Sequence, residues 1–217
     1  MSLQGELARL RAAAGRLAAS AELHAGWRRF EVEQMRARYA DLARDPLCRP
    51  AVEFLIDELY GNPAPLRLAE QLERARGPME TLLPAKVRHT VGAALAFLAA
   101  KLERDAKIVE RAARFGGERP DWDALRRAVY DAESWRAHTE AAVAVGREID
   151  RLVHKPLIGV ALRACAAPAR RMGLGYLQDF LERGYAAFRR LGDAAPFLAR
   201  FRERELAAWK DTEPGGG

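Results

Sequence analysis

A long series of apolar residues at helical spacing occupies the middle of this sequence. Between residues 84 and 114 the apolar positions lie three or four residues apart, at Val87, Val91, Leu95, Leu98, Leu102, Ala106 and Val109. This spacing places the side chains on one face of an α-helix, and about thirty residues give a rod of about 45 Å. Pro84 suits the first turn of this helix, and Gly116-Gly117 favours an end of the helix just before these two glycines.

A second long helix is predicted directly after this one. Pro120-Asp121 opens it, Lys155-Pro156 closes it, and apolar residues recur between them from Trp122 to Leu152. Two long helices joined by a short glycine-rich connection form an antiparallel hairpin. We expect this hairpin to be the scaffold on which the other helices pack.

The rest of the chain shows the same period. Further helices are predicted at residues 2–43 with a break near Gly26, at 50–61, around Leu66–Leu72 up to Gly77-Pro78, at 156–171, at 176–190 and after Asp193. The apolar helix at 156–171 is expected to be buried. No segment alternates with a period of two. The sequence therefore predicts an all-α fold, a compact bundle of about seven helices built on the long hairpin. We expect residues 1–210 to form a single domain, with 1–25 as a candidate peripheral helix and 211–217 as a disordered tail.

Composition and charge narrow the class of protein. The hydrophobic fraction of 49% supports a substantial core, and the net charge is +6 with only five lysines among 36 basic residues. The last sixty residues before the tail, 151–210, hold twelve basic and five acidic residues. The two cysteines lie far apart without a C-x-x-C spacing, which is typical of a reducing compartment. With neither a signal peptide nor a membrane-length apolar run, a cytoplasmic protein is expected.

The segment Pro50–Gly61 is predicted to be a central packing helix. At 100° per residue Glu58 lies between Ala51 and Phe54, inside the apolar arc. A carboxylate removed from water needs a partner, and arginine from another helix is the expected one, with the C-terminal arginines the richest source. The alternative is that Glu58 lies at the helix edge and reaches water.

The same segment carries a family resemblance. Phe54-Leu-Ile-Asp-Glu-Leu-Tyr60 resembles the motif of the FFLEELY-motif proteins of proteobacteria, with conservative departures at positions 55 to 57. Arg38–Leu42, Phe180–Phe188, and Phe197-Leu198 with Arg204-Glu205 are similar to other parts of that family. The resemblance implies one helical domain in an intracellular bacterial protein. It marks Phe54, Asp57, Glu58, Leu59 and Tyr60 as a structural motif, and it carries over no catalytic residue because the family has no established activity.

Sites for metals and cofactors are not predicted. Di-iron bundles use Glu-x-x-His pairs, and no glutamate lies three residues before any of the four histidines. Asp150 and His154 share a helix face but are expected to form an ordinary surface pair. A haem needs only one axial histidine, so this spacing argument does not exclude it. Neither cysteine has a histidine nearby in sequence, and no catalytic residue is predicted.

Three functions remain open from the sequence. The preferred one is a non-enzymatic interaction or adaptor module with an unknown protein partner, for which homodimerisation is also open. The alternative is a small-molecule binder, for an apolar ligand or haem, with a cavity between the long helices. The third is a weak nucleic-acid or anionic-surface binder that uses the arginine-rich C-terminal third, with Arg163, Arg170 and Arg171 as candidate anion-binding residues. Nucleic acid is the less favoured partner, because the neighbouring phenylalanines are spaced like core residues.

Overall fold

One long helix, Ala85–Phe115, forms the axis of the fold. The computed structural model describes residues 2–115 and 120–210. Its ten α-helices are α1 (Leu3–Ala19), α2 (Ala21–Arg38), α3 (Arg49–Phe54), α4 (Pro65–Leu82), α5 (Ala85–Phe115), α6 (Trp122–Arg127), α7 (Ala132–Val153), α8 (Pro156–Arg171), α9 (Gly175–Leu191) and α10 (Ala195–Lys210). A 3₁₀ turn lies at Leu42–Arg44, and a π-helical turn at Leu55–Tyr60 continues α3. No strand occurs within these ranges, so the prediction of an all-α bundle is confirmed, with more helices than the seven expected.

Two apolar clusters form the interior. The first joins α1, α4 and α5 to the tryptophans Trp27, Trp135 and Trp209. The second surrounds α3 and includes Tyr39, Ile56 and Phe201. The central helix predicted at 50–61 thus lies in a core, the second cluster, to which Ile56 and Tyr60 both belong.

The N-terminal helix is part of the core and not peripheral. α1 makes its largest contact with α5, and Leu7, Leu10 and Leu17 are each no more than 2% exposed. The break after it falls at Ser20, not at Gly26. Gly26 lies inside α2, where a Cβ atom would be 2.9 Å from Cζ2 of Trp122, so this glycine serves close packing.

The second arm of the predicted hairpin is divided in two. α6 ends at Arg127, and α7 begins just after Asp131, whose side chain accepts a hydrogen bond from the backbone N–H of Ser134 at 2.7 Å. The Ser134 hydroxyl accepts one from the Asp131 N–H at 3.0 Å, which completes a capping box. This cap starts a new helix where apolar spacing alone predicted continuation. α7 still packs on α5, while the predicted connection at Gly116-Gly117 lies outside the described residues.

Two further predictions about single helices are wrong. α4 does not stop at Gly77-Pro78 but continues to Leu82, with the Thr81 hydroxyl donating to the Gly77 carbonyl at 2.9 Å. α8 is not buried: Gly159 is its one buried residue, and the helix packs mainly on α9. None of the described helices is both long and apolar enough to cross a membrane. The predicted tail at 211–217 lies outside the described residues.

Candidate functional site

A wide helical turn shapes the site from within the predicted motif. The Gly61 N–H donates to the carbonyl of Ile56 at 2.6 Å, five residues back, where an α-helix would use the fourth. A Cβ atom at Gly61 would lie 2.7 Å from that same oxygen, so only glycine permits this closure. Single π turns of this kind occur frequently at functional sites. We call Arg49–Tyr60 the motif helix.

One side of the motif helix packs on α9. The Phe54 ring lies 5.3 Å from that of Phe180, centroid to centroid, and fills the space left by Gly184. Glu58 Oε1 lies 2.7 Å from Nε of Arg183, and the Glu58 side chain is only 15% exposed. The predicted pairing of Glu58 with a C-terminal arginine is therefore confirmed. At Gly184 it is the aromatic ring of Phe54 that lies close to the backbone of α9.

The other motif residues divide between surface and core. Asp57 is 56% exposed and lies 3.6 Å from Nη2 of Arg36. Leu59 packs against the second apolar cluster. Tyr60 points into the bundle, is 5% exposed, and has Nζ of Lys101 4.9 Å from its ring centroid. A cation over a ring face in a desolvated place is attracted by the ring quadrupole.

Lys101 connects Tyr60 to two buried acids. Its Nζ atom donates to Oδ2 of Asp105 at 2.6 Å and to Oε2 of Glu31 at 3.1 Å. Trp27 Nε1 donates to the other oxygen of Asp105 at 3.1 Å. Burial alone would lower the pKa of Lys101, but the charge of Asp105 and the hydrogen bonds to Asp105 and Glu31 raise it, so the ammonium stays charged. Burial also raises the pKa of Tyr60 well above its usual range.

A third buried acid ties α10 to the end of α2. Glu205 is 2% exposed, and its Oε1 atom accepts from Arg38 and from the Tyr39 hydroxyl, each at 2.7 Å. Its backbone carbonyl accepts from Nε1 of Trp135 at 2.7 Å. Next to it, Arg204 binds both oxygens of Asp41 at 2.7 Å. We call the set Glu31, Arg38, Tyr60, Lys101, Asp105 and Glu205 the polar core.

The polar core borders a cavity of about 20 Å³, whose wall includes Glu31, Arg38, Tyr60, Arg126 and Glu205. This volume holds about one water molecule. A larger cleft of about 280 Å³ lies on the surface at the end of α5, with mainly charged residues such as Lys107, Arg111 and Arg114 around it. Neither space is the large apolar cavity that the small-molecule hypothesis requires. The small cavity beside the polar core has no room for a substrate.

The exposed side of α8 is the second unusual feature. Apolar residues face solvent at i, i+3, i+4, i+7, i+8, i+11 and i+15, a set that we call the α8 stripe: Leu157, Val160, Ala161, Ala164, Cys165, Pro168 and Met172. Leu157 is 77% exposed, Met172 60% and Val160 53%. The opposite side of α8 packs on α9, where Gly159 contacts the Tyr185 hydroxyl and the Leu162 carbonyl accepts from Gln178 at 2.8 Å.

The three candidate anion-binding arginines of α8 differ in their ion pairing. Arg170 is paired with Asp179 at 2.7 Å and with Glu182 at 3.6 Å. Arg163 and Arg171 are exposed, and no carboxylate of the described residues lies within 4 Å of either. The structure therefore separates Arg170 from the other two.

Other C-terminal arginines pair with acids from earlier helices. Arg183 contacts Glu58, Arg202 contacts Glu140, and Arg204 contacts Asp41. These ion pairs neutralise part of the excess positive charge in the last third of the chain.

The chain matches a family model over residues 10–213, and that model is described as a domain of unknown function, DUF8198. The chain belongs to the DUF8198 family. No curated protein and no solved structure matches it. The motif helix, the polar core and the α8 stripe all lie inside the matched range.

Sequence reasoning found only part of this DUF8198 site. The motif residues and Glu58 were identified, but Glu31, Lys101 and Asp105 were not. One signal was present: Lys101 and Asp105 are four residues apart beside the apolar seam of α5, at positions that an amphipathic helix buries. Arg38, Tyr39 and Glu205 lay in segments that carry the family resemblance, and the structure brings those segments together.

Proposed function

We propose that the protein is a non-enzymatic, intracellular interaction or adaptor module that docks an acidic amphipathic helix of a partner protein on the α8 stripe. The supporting observation is that α8 turns its apolar face to solvent while packing with its other face. Exposed apolar residues at helical spacing over four turns are typical of helix-in-groove or helix-on-helix recognition. Two free cysteines, one buried and one exposed, agree with a cytoplasmic location.

Charge complementarity favours an acidic partner. α8 contains no aspartate or glutamate, and Arg163 and Arg171 border the stripe without ion-pair partners in the described residues. A second copy of the chain would place the same basic edge against its own, so like charges would face each other. A partner helix with glutamates beside its apolar face would meet opposite charge.

The side chains of the stripe favour a helix over a lipid surface. Its middle consists of Ala161, Ala164 and Cys165, and small residues let the axis of another helix come close. Helices that lie in membranes rely on large apolar and aromatic residues instead. With sixteen residues, α8 is about 24 Å long, which suits a partner helix of about four turns.

A designed peptide tests this proposal. The probe is a helical peptide of about four turns with leucine and alanine on one face and glutamate beside it, and the control peptide has lysine in place of glutamate. Calorimetric titration should detect the acidic peptide and not the basic one. Leu157→Asp should weaken binding about tenfold or more, because a charged group replaces an apolar contact.

Leu82→Asp is the matched protein control. Leu82 is 78% exposed, close to the 77% of Leu157, but lies at the end of α4. The Leu82→Asp substitution should leave binding of the acidic peptide unchanged. Equal affinity for both peptides, or equal effects of the two substitutions, would contradict the proposal. So would a Leu157-dependent dimer in sedimentation equilibrium or Leu157-dependent binding to phosphatidylglycerol vesicles, since these identify a second copy or a lipid surface as the occupant.

The four segments that resemble FFLEELY-motif proteins support placing the chain among them. Phe54 contacts Phe180, Arg38 contacts Glu205, and Arg204 contacts Asp41, so the resemblance covers residues that touch one another. Contacts of this kind explain why such segments occur in one chain, without requiring catalysis.

A further inference from the structure

Glu31 is the least compensated acid of the polar core. It shares the single ammonium of Lys101 with Asp105, and Asp105 is closer, at 2.6 Å against 3.1 Å. Asp105 also receives the Trp27 N–H, whereas Lys101 is the one hydrogen-bond donor to Glu31 among the described residues. A buried carboxylate with half of one counter-charge is costly to ionise.

The bases that face Glu31 from the neighbouring helices already contact other acids. On α5, Lys101 is paired with Asp105. On α6, Arg126 lies 2.8 Å from Asp123, an acid that it shares with Arg127.

The remaining base around the cavity is also matched. Arg38, at the end of α2 itself, is paired with Glu205 of α10 at 2.7 Å. Tyr60 from the motif helix and Tyr130 before α7 are neutral, because burial raises the pKa of both. Each base around this cavity therefore lies closer to another acid than to Glu31.

We propose that Glu31 holds a proton in the folded protein, and that loss of this proton loosens the C-terminal half of α2 from α5. The polar core then acts as a proton-linked latch on α2. Ionised Glu31 would add a negative charge beside Asp105 and near Glu205. The side chain is 14% exposed and lines a cavity that also touches exposed Gln34, so the ionised carboxylate has a path outward to water.

The pH range of the latch follows from the same surroundings. Burial, aided by the charge of Asp105 and opposed by Lys101, raises the pKa of Glu31 to about 8. Because the folded pKa is above that of the unfolded chain, the contribution to stability is complete at acid pH and is lost as pH rises toward about 8.

The buried histidines do not titrate in this range. Burial lowers the pKa of His24 to about 4 and that of His138 to about 3, so both are neutral above pH 7. Nδ1 of His138 lies 2.9 Å from Arg104, which suits a neutral ring accepting that hydrogen bond. The range between about pH 7 and pH 9 therefore isolates Glu31 from these histidines.

Glu31→Gln tests the latch, because glutamine keeps the shape and neutrality of the protonated acid. The melting temperature of the wild-type protein should fall by about 3 °C or more between about pH 7 and pH 9, and that of Glu31→Gln should not. Hydrogen exchange should show faster opening of α2 amides at the higher pH in the wild type relative to the variant. Glu33→Gln, at an exposed position of the same helix, should behave like the wild type.

Two outcomes would overturn the proposal. One is an equal pH dependence of melting in wild type and Glu31→Gln. The other needs no variant: carbon NMR of the glutamate carboxyl groups in the wild-type protein should show one group titrating near pH 8, and complete titration of all glutamates below about pH 6 would show that Glu31 is ionised at neutral pH.

Discussion

The ion pair between Glu58 and Arg183 is informative because its two partners differ in exposure. The glutamate is 15% exposed and the arginine 49%. A pair buried on both sides loses about 3–5 kcal/mol when one partner is removed, since the other charge is stranded. Arg183 can instead turn into water, so the loss should be closer to that of a partly exposed pair.

Glu58→Ala should therefore lower the free energy of unfolding by about 1–2 kcal/mol. Urea titration monitored by circular dichroism measures this. Glu53→Ala is the control, because Glu53 is exposed on the same helix and should change stability by less than about 0.5 kcal/mol. Equal effects of the two substitutions would show that the pair contributes nothing.

Glycines within helices show how elements are fitted together. At Gly184 of α9 a Cβ atom would lie 2.9 Å from Cζ of Phe54, while at Gly15 of α1 it would meet nothing within 4 Å. Alanine is the better helix former by about 1 kcal/mol at both positions. Packing therefore decides whether replacing each glycine with alanine stabilises or destabilises the protein.

We expect Gly15→Ala to raise the free energy of unfolding by up to about 1 kcal/mol. Gly184→Ala should lower it by about 1–2 kcal/mol, because the Phe54 ring is held against Phe180 and must shift. Thermal unfolding of the two variants beside the wild type gives the comparison. Stabilisation by both substitutions would mean that the Phe54 ring of the motif helix can move away from α9 without loss of stability.

The helices also show what the spacing of apolar residues can predict and what it cannot. The apolar seam of α5 predicted its bounds to within about one residue, because a single strong period has one solution. In α8 the apolar residues surround most of the helix, so the sequence predicted burial but could not say which face would remain uncovered. The π turn was missed as well, because it depends on which carbonyl the Gly61 N–H reaches, and side-chain spacing does not record that.

At the scale of the molecule, the polar core joins residues that are remote in the chain. Lys101 is 70 positions from Glu31, and Arg38 is 167 from Glu205. No local pattern predicts such pairs, and an acid inside an apolar helix reveals only that a partner must exist. The all-α class could be predicted, while the composition of the site required the packing of α2, α5 and α10.

Glu205 is expected to be the most sensitive single residue of this arrangement. Glu205→Ala removes the acceptor of both Arg38 and Tyr39, and the Arg38 side chain is only 16% exposed. The free energy of unfolding should fall by about 3–5 kcal/mol. Glu203→Ala, at an exposed position of α10, should change it by less than about 0.5 kcal/mol, and guanidinium unfolding of both variants compares them. A loss of under about 1 kcal/mol for Glu205→Ala would show that this buried acid contributes little to holding α10.

The wide turn at Leu55–Tyr60 has a consequence for the length of the chain at this point. A π turn takes one more residue than an α turn to reach the same carbonyl. Regular α geometry over the same number of residues would rotate Tyr60 by up to about 100° and take its ring away from Lys101. The width of this turn, as much as the identity of its residues, thus determines whether an aromatic ring covers the buried ammonium. A change that let this segment relax into an α turn would be a change in the chemistry of the core.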